Sequence, residues 1–319
     1  MNVSARWLAL LMAPLLLAAA CGEATDPTPG IDGEETAMGH IHGIGIDPAD
    51  GTLYAATHFG LFRVDDQTVV RVADRWQDTM AFTVVGDHHF LGSGHPDLRE
   101  DLPPHLGLIE SSDAGETWRS LALQGEADFH AIEAAKDQLY AYDAVTETLM
   151  ASNDMRTFRT ITRLNATDLA ADPSDVNRVL ATTPAGLLAV EAVSGKQTPI
   201  EAPGLAYIDW PRSDLLVGLS PNGDVQVSTD AGTRWTNAGN VPGEAAALEV
   251  TTEDWYAATD RGLFRSVDRG APLRRCFIRR VTACRPTPRP ARASSTRTAT
   301  ASSNTSTRWC AATARAVTR

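Results

Sequence analysis

The chain has 319 residues and a formal net charge of −12, with 40 acidic against 28 basic side chains. Twelve arginines lie between Arg269 and Arg319 and no acid follows Asp268; the preceding 268 residues carry 16 basic and 40 acidic groups, a net −24. Such a surface excludes nucleic acid as a partner and favours cations or cationic groups; with Cys21 the only cysteine before Cys276, no structural disulfide is expected.

The amino terminus reads as a targeting segment. Arg6 precedes an apolar run, Trp7 to Ala20, that is too short for a stable membrane span. Residues 1–20 therefore read as a secretory signal. Ala18-Ala-Ala-Cys21 resembles a bacterial lipobox, with Ala18 where Leu is usual. That resemblance implies cleavage before Cys21 and lipidation of its sulfur; an ordinary secreted protein with an incidental cysteine is the alternative. Residues 21–37 are acidic, contain Pro and Gly and lack periodicity, which suits a flexible tether.

From residue 38 the pattern changes to short apolar alternations bounded by Gly, Pro and Asp, the signature of strands. His42–Asp47 reads as an inner strand, Leu53–Thr57 as a second, Leu61–Val64 as a third and Val69–Ala73 as an outer one. Gly60-Leu-Phe-Arg-Val-Asp-Asp66 returns as Gly262-Leu-Phe-Arg-Ser-Val-Asp268, and Leu53-Tyr-Ala-Ala-Thr57 returns as Trp255-Tyr-Ala-Ala-Thr259. Two octapeptides share another pattern: Ser111-Ser-Asp-Ala-Gly-Glu-Thr-Trp118 and Ser228-Thr-Asp-Ala-Gly-Thr-Arg-Trp235. Asp and Ser side chains can bond backbone amides within a tight turn, Gly accepts its positive φ, and the Trp pins it to its neighbours. The structural residues of these turns are Ser111, Asp113, Gly115 and Trp118, and Ser228, Asp230, Gly232 and Trp235. Ser152 to Phe158 is a degenerate copy, one residue short and without the Gly.

Aligned turn positions fall at Asp66, Asp113, Asp154, Ala192, Asp230 and Asp268, in steps of 47, 41, 38, 38 and 38 residues. The long first step reflects an insert near Gly92 to Gly107. Units of about 40 residues holding several short strands predict an all-β propeller. Further inner strands are expected near Ala81, His130, Asp168, Ala206 and Ala246, giving six blades over residues 38–270. A seventh blade is the alternative if the chain after Gly270 has lost its frame. Residues 271–319 are Arg-, Ala-, Thr- and Pro-rich and hold Cys276, Cys284 and Cys310, whose spacing fits no zinc pattern. They read as a disordered product of a frameshift, with a basic arm as the rival reading.

The repeated turns resemble those of the BNR/Asp-box propeller superfamily, which includes sialidases, xyloglucan-acting glycosidases, sortilin-type receptors and photosystem assembly factors. Four further segments look like bacterial lipoproteins loosely named glycosylhydrolases. They are Gly39-His-Ile-His-Gly43, Tyr54-Ala-Ala-Thr-His-Phe-Gly-Leu-Phe62, Phe90-Leu-Gly-Ser-Gly-His-Pro-Asp97 and Asp128-Phe-His130. The resemblance spans about residues 38–270 and implies a lipid-anchored propeller on the outer face of the membrane. The chain departs from the sialidase pattern: it has no Arg-Ile-Pro segment, and Arg63 and Arg265 sit on third strands beside the turns. A two-carboxylate glycosidase would draw on Glu100, Asp101, Asp128 and Asp209.

All eight histidines lie between residues 40 and 130. Propeller topology sends loops entering inner strands, and loops joining second to third strands, to one face. His40, His42, His58, His95 and His130 should therefore meet at one mouth of the channel, opposite the turns, with Asp97, Arg99, Glu100, Asp101 and His105 of the insert nearby. Such imidazoles could hold a transition metal, zinc or copper, could supply acid–base groups, or could merely satisfy loop carbonyls. His88-His89 is expected in a solvated turn on the other face. The function these readings favour is binding of a ligand, metal or protein through this rim by a monomer, anchored to the membrane by lipid. The alternative is a glycoside hydrolase acting on an extracellular glycan.

Overall fold

The computed structural model describes residues 38–65, 68–252 and 254–266. The expected signal, the expected lipidation site Cys21, the expected tether, the tail with its three cysteines and the turn positions Asp66 and Asp268 lie outside the described residues.

The described chain is all-β and forms a six-bladed propeller. Each of the first five blades is a four-stranded antiparallel meander, and blade 6 shows three strands among the described residues. The inner strands are Ile41–Ile46, Asp78–Gly86, Phe129–Ala135, Asp168–Asp172, Tyr207–Arg212 and Ala245–Val250. Each touches the next in order, and the last returns to the first, so the ring is closed. Blade 1 follows the alternation closely: its strands are Ile41–Ile46, Leu53–Thr57, Gly60–Val64 and Val69–Arg71.

Six apolar clusters lie in the six gaps between blades. Tyr54 and Leu61 meet Phe82 and Phe90 between blades 1 and 2, and Leu91 and Leu108 meet Phe129 and Leu139 between blades 2 and 3. The pattern continues around the ring. It closes with Ile41 and Ile44 of blade 1 against Ala246, Ala247 and Leu263 of blade 6. Second strands are covered on both faces, so Leu53–Thr57 and Trp255–Thr259 are buried throughout. The outer strand Arg159–Arg163 of blade 3 has no buried position. Trp210, on the inner strand of blade 5, is buried between blades 4 and 5.

The two octapeptides fold alike. Ser111 Oγ donates to Asp113 Oδ1 at 2.8 Å and accepts from Gly115 N at 2.8 Å, while Thr117 N donates to Asp113 Oδ1 at 2.9 Å. Ser228, Asp230, Gly232 and Arg234 repeat these bonds at 3.0, 2.9 and 2.8 Å. Arg234, where Thr stands in the first copy, sets Nε on Asp230 Oδ2 at 2.9 Å. In the shorter copy Thr157 N reaches Asp154 Oδ1 at 2.7 Å from only three residues away. Trp118, Trp235 and Phe158 are partly buried and pack against the inter-blade clusters. The residue before each glycine is also left-handed: Ala114 has φ 59° and Ala231 φ 57°, as does Met155 at φ 57° in the glycine-free copy.

The turn at His88-His89 is solvent-exposed at His88, as expected, and is also tied to its neighbours. His88 Nδ1 lies 2.7 Å from Oδ2 of the fully buried Asp47, and His89 Nε2 lies 2.7 Å from Glu110 Oε1. The turn joins the first two strands of blade 2 and is tied by charge to blade 1, which a reading of one blade at a time cannot anticipate.

Candidate functional site

The inner strand of blade 2 opens at Asp78, three residues before the apolar alternation begins at Ala81, and this puts a carboxylate at the mouth. Two strands of blade 1 bring histidines to it. His42 lies on the inner strand, and His58 follows the second strand directly. His42 Nε2 is 3.1 Å from His58 Nδ1, which is 3.0 Å from Asp78 Oδ1; His42 Nε2 and Asp78 Oδ1 are 3.7 Å apart. The His40 ring stands 4.9 Å from that of His42 and 5.8 Å from that of His58, centroid to centroid.

Burial drives the His42 pKa down to about 3, assisted by His58, His40 and His130. At neutral pH its ring is therefore uncharged. His58 Nδ1 carries at most one hydrogen, yet it faces both a neutral imidazole nitrogen and a carboxylate oxygen. Whichever neighbour receives that hydrogen, one lone-pair contact remains.

A second cluster bridges blades 2 and 3. His95 ends the second strand of blade 2, His105 closes the insert, and Asp128 and His130 stand where the inner strand of blade 3 begins. Asp128 Oδ2 lies 3.0 Å from His130 Nε2 and 3.7 Å from both His95 Nε2 and His105 Nδ1. Burial works to raise the Asp128 pKa. The bond from His130 and the fields of His130, His95 and His105 outweigh it, and the net shift is downward. All five histidines expected on the rim are thus on one mouth, in two groups. His130 is committed through Nε2 to Asp128. His105, which the sequence placed on the rim without a ligand role, joins the second group, and Asp78 joins the first.

The four carboxylates considered for glycoside cleavage are dispersed in role. Glu100 pairs with Arg75 at 3.0 Å, and Asp101 is exposed on the insert. Asp128 is ringed by imidazoles, and Asp209 lies inside the channel. Asp97 and Arg99 form a brace: Arg99 bonds Asp97 and Asp74, and Asp97 also accepts from Trp76 N at 2.9 Å. Beside the first cluster Phe59 and Trp76 are exposed, with ring centroids 6.3 Å apart.

Behind the mouth a cavity of about 430 Å³ runs from His42 and His130 past Glu133, Asp168, Asp209 and Glu249. These carboxyls lace successive inner strands together. Glu133 accepts from Ala171 N at 3.1 Å, Asp168 from Ile208 N at 2.9 Å and Asp209 from Val250 N at 2.6 Å. Glu249 accepts from the Ile46 amide and completes the series at the join of blades 6 and 1. Burial raises Asp168 and Asp209 to about 7 and pushes Glu133 and Glu249 well above the usual carboxylate range. Of these four, the sequence singled out only Asp209 as a site residue. A charged residue inside an apolar inner strand, as in Phe129-His-Ala-Ile-Glu133, is the signal that could have found the others.

No protein-family model matches the chain, and no curated protein matches it. Among solved structures, a gluconolactonase from Xanthomonas campestris superposes with a TM-score of 0.57 at 13% identity, over 72% of this chain and 86% of that one. A GH74 xyloglucanase from Xanthomonas campestris gives 0.52 at 16% identity, over 74% of this chain and 45% of that one. A GH74 enzyme from Niastella koreensis gives 0.50 at 16% identity, over 75% and 37%. This chain spans less than half the length of either GH74 enzyme. At such identities the similarity is one of fold, the β-propeller.

Proposed function

We propose that this chain is a lipid-anchored, extracytoplasmic Asp-box propeller that works as a monomer and captures a divalent transition metal at its histidine-rich mouth. One observation carries this reading: His42 Nε2, His58 Nδ1 and Asp78 Oδ1 converge with too few hydrogens between them. Zinc bound tetrahedrally to nitrogen and oxygen at about 2.0–2.2 Å requires donor atoms about 3.4 Å apart. The separations here are 3.0, 3.1 and 3.7 Å. A borderline ion such as Zn²⁺ or Cu²⁺ suits this nitrogen-rich set. The strongly acidic chain before the tail favours a cation. The anchor rests on Cys21 and its flanking residues, and membership of the superfamily rests on the matching turns.

The test is uptake of Zn²⁺ by the purified protein in a chelator-competition titration. His58→Ala should weaken this site at least tenfold and leave the fold intact, because the ring is partly exposed. Unchanged uptake in this variant would remove the metal reading for these residues.

A glycosidase reading has one observation in its favour, the exposed rings of Phe59 and Trp76, although Arg71 already covers one face of Trp76. Release of reducing ends from soluble glycans, abolished by Asp128→Asn or Asp209→Asn, would support it over binding alone.

A further inference from the structure

We infer that the insert of blade 2 builds a second metal site, separate from the first, from His95 Nε2, His105 Nδ1 and Asp128 Oδ2. The inference goes beyond the proposed function and does not depend on the first triad holding an ion.

The tautomer of His95 supplies the first support. Its Nδ1 is 2.7 Å from the carbonyl oxygen of Pro104. A carbonyl only accepts, so Nδ1 carries the hydrogen and, in the neutral ring, Nε2 is left with its lone pair. That lone pair faces Asp128 Oδ2 at 3.7 Å, acceptor against acceptor. A backbone carbonyl fixing one ring nitrogen so that the other is free is the usual support of a metal-binding histidine.

Unpartnered buried atoms supply the second. His105 Nδ1 and Asp128 Oδ1 are both buried without a hydrogen-bond partner, and the Asp128 side chain is only 9% exposed. A buried polar atom left unpaired is costly, so two in one cluster call for a missing partner. A cation held by His95 Nε2, His105 Nδ1 and Asp128 Oδ2 gives His105 Nδ1 its partner, and contact with both oxygens of the carboxylate would serve the orphaned Oδ1 as well. All three candidate donor atoms lie within 4.8 Å of one another. His130 donates to Asp128 Oδ2 at 3.0 Å and serves as a positioning residue rather than a ligand.

The arrangement also accounts for the insert. His95 and His105 stand at its two ends, and an ion between them closes the loop against the start of blade 3. Two nitrogens and one carboxylate fit the same class of ion as the first triad, Zn²⁺, Cu²⁺ or Ni²⁺, with positions left for water.

The experiment is Zn²⁺ stoichiometry by equilibrium dialysis on the full chain, run on the wild type, His58→Ala, His105→Ala and the double variant. The expected equivalents are two, one, one and none. Asp128→Asn, which keeps the shape and removes the charge, should also bind one. Hydrogen exchange supplies a second readout: residues 96–107 should gain protection on adding Zn²⁺ in the wild type and in His58→Ala, but not in His105→Ala. One wild-type equivalent that His58→Ala removes would overturn the insert site and leave the first reading standing. One equivalent that His105→Ala removes would do the reverse. No uptake at all would overturn both.

Discussion

His42 shows how a single side chain acquires a property that composition cannot give. Its pKa of about 3, against an ordinary 6.5, means that the folded chain binds fewer protons than the unfolded chain between those values. Stability therefore falls as pH drops from about 6.5 toward 3, with a contribution to the slope of at most about 1.4 kcal/mol per pH unit. His42→Asn should flatten that part of the profile in denaturant unfolding measured from pH 7 to pH 3.5. Coincident profiles would show that the ring is not shielded from water. Five rim histidines were legible in the sequence because strand order alone decides which loops share a face. Asp78 was not, because it stands before the apolar alternation that marks its strand.

The repeated turn is the element that sets the spacing of third and outer strands. Gly115 has φ 87°, and a Cβ there would meet Leu61 Cδ2 of blade 1 at 2.4 Å. Gly115→Ala should therefore destabilise the fold by about 1–3 kcal/mol through backbone strain and overpacking. Gly232 has the same φ but its nearest contact is 3.5 Å, to Leu216, so Gly232→Ala should cost less. Thermal melts of the two variants check the order, and equal losses would mean that φ alone sets the cost. The strands of blade 1 could be placed from the sequence to within about two residues, since alternation and turn chemistry agree there. The left-handed Ala114, Ala231 and Met155 could not. Alanine and methionine carry no signal for that conformation, and the serine–aspartate bonds impose it.

Across the whole molecule the channel carboxyls and the rim triads divide the ring between them. The carboxyls were hidden because alternation alone marks a polar residue on a strand as solvent-facing; only closing the ring turns four of them into one cavity. Asp168 and Asp209, raised to about 7, hold their protons in the fold where the unfolded chain has lost them. Their contribution is complete below the unfolded pKa near 4 and is lost as pH rises through about 7. Asp209→Asn keeps an acceptor for Val250 N, so its melting temperature relative to the wild type should be higher at pH 8.5 than at pH 4.5. An offset independent of pH would show that the aspartate is ionised throughout. The amide bonds of these acids span the joins from blade 3 round to blade 1 and skip the joins of blades 1 to 2 and 2 to 3. Those two are where His42, His58 and Asp78, and then His95, His105 and Asp128, reach across. An ion in each would act as a removable rivet, and half of the wheel would stiffen or slacken with the supply of metal.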